Sequence, residues 1–262
     1  MQITVTQLWR YPLKSAAGVP IQESAVLPRG LADDRRWMLV DDHRRFITSR
    51  TQHQLVTVSA ARTSTGLRLD DTLDVPIPPE DGPRVAVKIW SDTVEARLAH
   101  PGANQWISER LGVSARLVYM GDETRRPVDP NYAGTDDVVS FADGFPLLLI
   151  SQASLDELNG RLETPVTMQH FRPNVVVGGC PPFAEDDWTH VEIGAARFSL
   201  VKRCSRCVLT TIDPQTGQRD PGGEPIKTLS TYRRVKGKIM FGQNLLVAQG
   251  GMVRVGDVVR LR

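Results

Sequence analysis

Cysteine is scarce in this sequence, with three in 262 residues, at positions 180, 204 and 207. An odd, unevenly spaced set argues against a disulfide framework and fits a reducing compartment. Long apolar runs are missing too, none approaching the ~20 residues of a membrane-spanning helix. The N-terminus Met1-Gln2-Ile3-Thr4-Val5-Thr6 alternates like a strand and lacks the apolar core of a signal peptide. A cytoplasmic protein without membrane association is expected. An excess of either charge is also absent. Thirty-two basic residues against 30 acidic ones leave a net +2, which argues against a general nucleic-acid binder and is compatible with a monomer. There is no Gly-x-Gly-x-x-Gly fingerprint and no parallel α/β alternation, so a Rossmann domain is not indicated.

What is present reads as mainly β with a few helices, an α+β chain. Ile3 to Trp9, Trp37 to Asp41, Phe46 to Ser49, Leu55 to Ala60 and Val85 to Trp90 are predicted strands, broken by turn residues such as Pro28-Arg29-Gly30. Ala103 to Leu111 reads as a helix stopped by Gly112. Arg125 to Gly134 reads as a linker or surface loop, and Phe145 to Ile150 as a buried strand. Ser151 is placed to cap a helix running to Leu162. Val175 to Val177, His190 to Gly194, Ala196 to Val201 and Val247 to Leu261 read as further β structure, and Leu229 to Arg234 as a short helix. The turn Asp213-Pro214-Gln215-Thr216-Gly217 predicts a hairpin with Val208 to Ile212 as its first strand.

The densest chemistry lies in Lys202-Arg203-Cys204-Ser205-Arg206-Cys207. Neighbouring cations favour the thiolate, which is both a nucleophile and a soft metal ligand. Four readings follow from the residues: buried core cysteines, a redox dithiol, half a zinc site, or a single metal-ligating thiolate. Zinc is disfavoured because the five histidines are scattered, without i, i+4 pairs to complete a cage. A thioredoxin-type dithiol is disfavoured because the pair lies between strand-like runs and does not open a helix. Elsewhere, Lys14-Ser15, Asp34-Arg35-Arg36-Trp37, Thr48-Ser49-Arg50 and Phe171-Arg172-Pro173-Asn174 set cations beside turn residues or hydroxyls. Such donors suit a phosphate, although each segment alone would serve equally well as a salt bridge or turn.

In order along the chain, Tyr11 to Ser15, Asp34 to Trp37, Phe171 to Asn174, Phe183 to Trp188, Cys204 to Cys207 and Phe241 to Asn244 resemble the motifs of the MOSC superfamily with its N-terminal β-barrel domain. The resemblance is strongest to the branch of amidoxime-reducing components and their bacterial relatives. It implies an N-terminal β-barrel-like domain over 1–122 and a MOSC β-barrel domain over 123–262. It further implies a molybdenum cofactor and reduction of N-hydroxylated compounds such as hydroxylaminopurines and amidoximes. By the same resemblance Cys207 is the thiolate ligand of the metal, with Cys204 as its neighbour. Asp143 is an acidic group near the metal that orients a bound water or relays a proton. Lys14, Ser15, Arg35, Arg172, Asn174, Ser205 and Arg206 hold the pterin and its phosphate, with Arg50 and Thr210 as further members. The Phe183 to Trp188 motif reads as scaffold. The sequence carries neither a fused iron–sulfur domain nor a membrane anchor, so electrons are expected from a separate flavin, haem or iron–sulfur protein. Other MOSC branches suggest two rivals, a persulfide on Cys207 serving sulfur transfer and a non-catalytic cofactor carrier.

Overall fold

The computed structural model describes residues 2–262 and is α+β, mostly strand with three α-helices. Its largest sheet has nine strands. Eight lie in the order Val259–Leu261, His190–Ile193, Ala196–Ser205, Lys238–Gln249, Leu147–Ser151, Val175–Gly178, Thr4–Arg10 and Val19–Ile21, and Arg234–Val235 pairs with Lys238–Gln249 off this path. The first strand of the chain is therefore hydrogen-bonded into a sheet made mainly of strands from the C-terminal half. Thr4–Arg10 pairs antiparallel with Val175–Gly178, and a bulge between Val5 and Gln7 lets both Val5 and Leu8 face the core. Gly251–Arg254 likewise pairs with Glu23–Leu27. The one parallel pair in the large sheet, Leu147–Ser151 with Val175–Gly178, brackets α2 (Gln152–Asn159). Its crossover provides the length that parallel strands require.

A four-stranded antiparallel sheet, Trp37–Val40, Arg116–Tyr119, Asp92–Leu98 and Arg84–Ile89, carries much of the N-terminal half. Leu13, Trp37, Leu39, Leu55, Leu67, Ile107 and Leu117 pack as one core beside it. A second core joins Val5 and Leu8 to Leu147, Val175, Phe198 and Leu245 under the large sheet. Helix α1 (Pro101–Leu111) ends on Gly112 in the left-handed conformation, as its sequence predicts. Ser151 caps α2 by accepting from the Ser154 amide, but α2 stops at Asn159, three residues before the predicted end. The last helix, α3, runs Ile226–Tyr232, shifted from the predicted Leu229 to Arg234.

Three predicted strands are corrected. Leu55 to Ala60 is instead a 3-10 turn, His53–Thr57, followed by extended chain and a strand starting at Ala60. Leu55 and Val58 are both fully buried, and a spacing of three places them on one face of such a turn. Phe46 to Ser49 makes only an isolated bridge from Phe46 to Val40, because the Thr48 carbonyl accepts from Thr51 and Gln52 and turns the chain. Val208–Thr211 is a 3-10 turn in which the Thr210 and Thr211 hydroxyls donate back to the Cys207 and Val208 carbonyls, at 3.0 and 2.8 Å. The hairpin survives as a single bridge between Ile212 and Arg219.

One glycine has a specific task. Gly242, at φ 82°, lies inside Lys238–Gln249, where an added Cβ would stand 2.6 Å from Ile150 Cγ1 and 2.9 Å from the Leu149 carbonyl. The pairing of Ala196–Ser205 with this strand slips between Leu200 and Lys202 and again between Arg203 and Ser205. These irregularities bend the end of the sheet that carries Cys204 and Asn244. Gly242→Ala is expected to cost about 2–4 kcal/mol of unfolding free energy through backbone strain and steric overlap. Urea denaturation reads this, and an unchanged midpoint would refute it.

Candidate functional site

Turns and strand ends from both halves of the chain converge on a cleft of about 710 Å³, solvent included. Its wall carries Lys14, Arg35, Arg50, Arg172 and Arg206, and Asp143 is the only carboxylate on it. Ser15 and Asn174 complete the predicted residues that face it. Ser205 and Thr210 are not on the wall, and neither is Cys207, which is half-buried and precedes the Val208–Thr211 turn. Cys204, read from sequence as a neighbour, is on the wall with Leu209. Thr210 is buried and holds the Cys207 carbonyl through both its amide and its hydroxyl.

The cations are fixed by backbone. Tyr11 is buried, and its ring lies under both Arg35 and Arg172, whose guanidinium carbons are 4.5 and 4.3 Å from its centroid. Arg35 pairs with buried Asp34 and donates to Asn174 Oδ1 and the Arg172 carbonyl, both at 3.2 Å. Asp34 in turn accepts from the Tyr11 amide at 2.8 Å. Arg172 donates to the Ala16 carbonyl at 2.7 Å, while its Nη2 is buried without a partner. Arg206 donates to the Phe171 carbonyl at 2.7 Å and to Cys204 Sγ at 2.9 Å, and its buried Nε has no partner. The Asn174 side chain accepts from Arg35 and the Leu148 amide and donates to the Trp9 carbonyl, so it works as a lock between strands.

Ser15, Arg35 and Arg172 have φ of 68°, 50° and 56°. None is glycine, and left-handed non-glycine residues are uncommon. Three in one cleft indicate strain that the surrounding structure holds in place, as functional sites often show. No sequence signal marks the strain at these positions.

On the opposite wall, Lys14 Nζ donates to Asp143 Oδ1 at 2.5 Å and to the Phe141 carbonyl at 2.8 Å. Arg50 donates to Asp143 Oδ2 at 3.2 Å. Burial lowers the Lys14 pKa to about 8, with Asp143 opposing. The protein packed around Asp143 would raise its pKa, but Lys14, then Arg50 and Arg35, hold it well below the usual carboxylate range. Its side chain remains 62% exposed, so the ionised group faces the cleft. Burial likewise lowers Arg172, to about 10, with Tyr11 opposing and Arg35 adding to the fall.

Sequence reading missed Arg126, placed in a presumed loop. It is 2% exposed and donates to Asp92 Oδ2 at 2.7 Å and to the Ser140, Ala142 and Asp143 carbonyls at 2.9, 2.6 and 3.2 Å. It thus clamps the segment that presents Asp143. Among the described residues no group of three or more His, Cys, Asp or Glu side chains forms a metal cage. The arrangement is instead a cationic cradle with unpaired N–H groups beside the Cys204 thiol, suited to a polyanion.

The MOSC N-terminal β-barrel domain matches residues 2–114 and the MOSC domain residues 136–260. The chain belongs to the MOSC family. This MOSC protein is 36% identical to mitochondrial amidoxime-reducing component 1 of Mus musculus over 98% of its own length and 82% of the relative's. It is 35% identical to component 1 and 34% identical to component 2 of Homo sapiens, at the same two coverages. Among the described residues no helix is long and apolar enough to cross a membrane.

The Lys14 charge should govern anion binding in this MOSC protein. Lys14 is protonated below about pH 8. Sulfate keeps a constant charge in this range, and its affinity should fall about fivefold or more as the pH rises from about 7 to about 9.5. Calorimetry on wild type and Lys14→Met reads this, the variant binding weakly with a flat profile. The same slope in the variant would refute it.

Proposed function

We propose that this chain is a molybdenum-cofactor-dependent reductase of N-hydroxylated compounds, re-reduced by a separate flavin, haem or iron–sulfur protein. The observation that carries the reading is the cradle itself. Five cations surround one cleft, with unpartnered Arg172 Nη2 and Arg206 Nε and a cysteine on its wall, in a chain whose relatives are named amidoxime-reducing components. Three unpaired cysteines fit a reducing compartment such as the cytoplasm.

The donor set fits the cofactor. Lys14, Ser15, Arg35, Arg172 and Arg206 would hold the pterin and its phosphate, with Arg50 at the rim. Asn174 and Thr210 would act by fixing neighbouring backbone, and Ser205 by joining the two cysteines. Cys207, by its position in the motif, would be the metal's thiolate ligand. When bound, the cofactor supplies the two-electron redox chemistry. Conversion of N–OH to N–H consumes two electrons and two protons and releases water. The Lys14 ammonium is the proton donor nearest the cleft's carboxylate, and its lowered pKa eases release near neutral pH. Asp143 stays ionised, so its part is to orient Lys14 and accept a hydrogen bond from the substrate's N–OH group.

Metal and pterin analysis of protein from a host that makes the cofactor, with Cys207→Ala and Cys204→Ser alongside, tests this reading. Equimolar molybdenum and pterin are expected in wild type. Cys207→Ala should lose the metal and lower N-reduction about 100-fold or more, and Cys204→Ser should lower it less than about threefold. Metal loss confined to Cys204→Ser would move the ligand to the cysteine that faces the cleft. Labile sulfur without molybdenum would replace the reductase reading with sulfur transfer, and a loaded protein inert with every donor would leave a carrier.

A further inference from the structure

Trp90 occupies a position that favours asparagine or glycine. With Ser91 it forms the two-residue turn between Arg84–Ile89 and Asp92–Leu98, whose paired ends are Ile89 and Asp92. Its φ is 54°, unusual for a bulky side chain. Core packing does not account for it, since Trp90 is 38% exposed.

Its contacts lead to the cleft. The Arg50 guanidinium carbon lies 4.4 Å from the Trp90 ring centroid, and Arg50 also holds Asp143. Phe46 meets Trp90 edge-on at 4.8 Å, and Lys14 Nζ is 5.7 Å from the Phe46 centroid. Around the two rings is a recess of about 620 Å³, solvent included, that Asp41, Arg45 and Lys88 complete. The relation of this hairpin to Asp143 is fixed, because Asp92 is an acceptor of the buried Arg126 that clamps residues 140–143.

On the reductase reading above, we propose that Phe46 and Trp90 form a stacking shelf at the cleft mouth for substrates with a flat aromatic body, such as aryl amidoximes or N-hydroxylated purines. An exposed indole offers such a body a large rigid face at little cost in side-chain entropy. The Arg50 guanidinium already lies over the ring as a planar group. An aliphatic hydroxamate has no π face to place there, so the shelf favours the aromatic substrate.

Reduction of benzamidoxime and of acetohydroxamate by the molybdenum-loaded full chain, in wild type, Trp90→Ala and Trp90→Phe, tests this. Equilibrium binding of benzamidoxime to the oxidised loaded protein is measured alongside. In Trp90→Ala the KM and Kd for benzamidoxime should rise about five- to tenfold, kcat and the acetohydroxamate KM should stay within about twofold, and Trp90→Phe should restore most of the loss. An equal change for both compounds, no change for benzamidoxime, or a change confined to the KM for the donor protein would overturn the shelf. The last result would make this a donor-docking surface. If wild type reduces neither compound the reductase reading fails, and equal benzamidoxime Kd values in wild type and Trp90→Ala would then sink the shelf separately.

Discussion

Like-charge repulsion is the constraint around which this structure is arranged. Lys14, Arg35, Arg50, Arg172 and Arg206 share one cleft with a single carboxylate on its wall. Bringing them together is unfavourable unless something else holds each one. Backbone carbonyls do much of this: Phe141 for Lys14, Arg172 for Arg35, Ala16 for Arg172 and Phe171 for Arg206. Asp34 and Asp143 supply the only close counter-charges to Arg35, Lys14 and Arg50. Burial lowers the pKa values of Lys14 and Arg172, and neighbouring cations add to the fall. An anion would complete such a site electrostatically, and leaving it incomplete trades stability for function.

The sheet topology explains how cations so far apart in sequence share one cleft. Thr4–Arg10 lies next to Val175–Gly178, so the turn after the first strand, carrying Lys14 and Ser15, meets the turn before the other, carrying Arg172. Asn174 locks this junction by bonding to Trp9, Leu148 and Arg35. The Ala196–Ser205 strand, its pairing slipping at three points, then brings Cys204 to the same end of the sheet. Cationic turns and thiol-bearing strand are thus brought together by strand order, with little help from local sequence.

What could be read from sequence follows from this. Lys14, Arg35, Arg50, Arg172 and Arg206 were legible because each stands in a short motif beside turn residues or hydroxyls, and Asp143 through the family resemblance; all six line one cleft. The mainly β class was legible from alternation, and helices α1 and α2 from Gly112 and Ser151. The 3-10 turns were not. Val56, Val58 and Ala60 alternate as a strand would, and the threonines of Val208–Thr211 carry high β propensity that their hydroxyl bonds to preceding carbonyls override. The strained backbone at Ser15, Arg35 and Arg172 left no mark in sequence because none of these residues is glycine.

Arg126 shows the same limit most clearly. Its acceptors lie 14, 16 and 17 residues ahead and 34 behind, beyond any local pattern. Its geometry nevertheless explains why the residue is arginine. A guanidinium is a rigid planar fork whose N–H groups diverge in fixed directions, so one side chain can serve a carboxylate on one edge and three carbonyls on the other. An ammonium offers three donors from one point and could not span Asp92 and the Ser140 to Asp143 backbone together. Because the cation is buried, its stability depends on all these acceptors staying in place. Displacing the Asp143 segment would therefore expose an unsatisfied buried charge. The exposed carboxylate in the cleft and the aromatic hairpin beyond it are held in fixed relation by a residue that lines neither the cleft nor the aromatic recess.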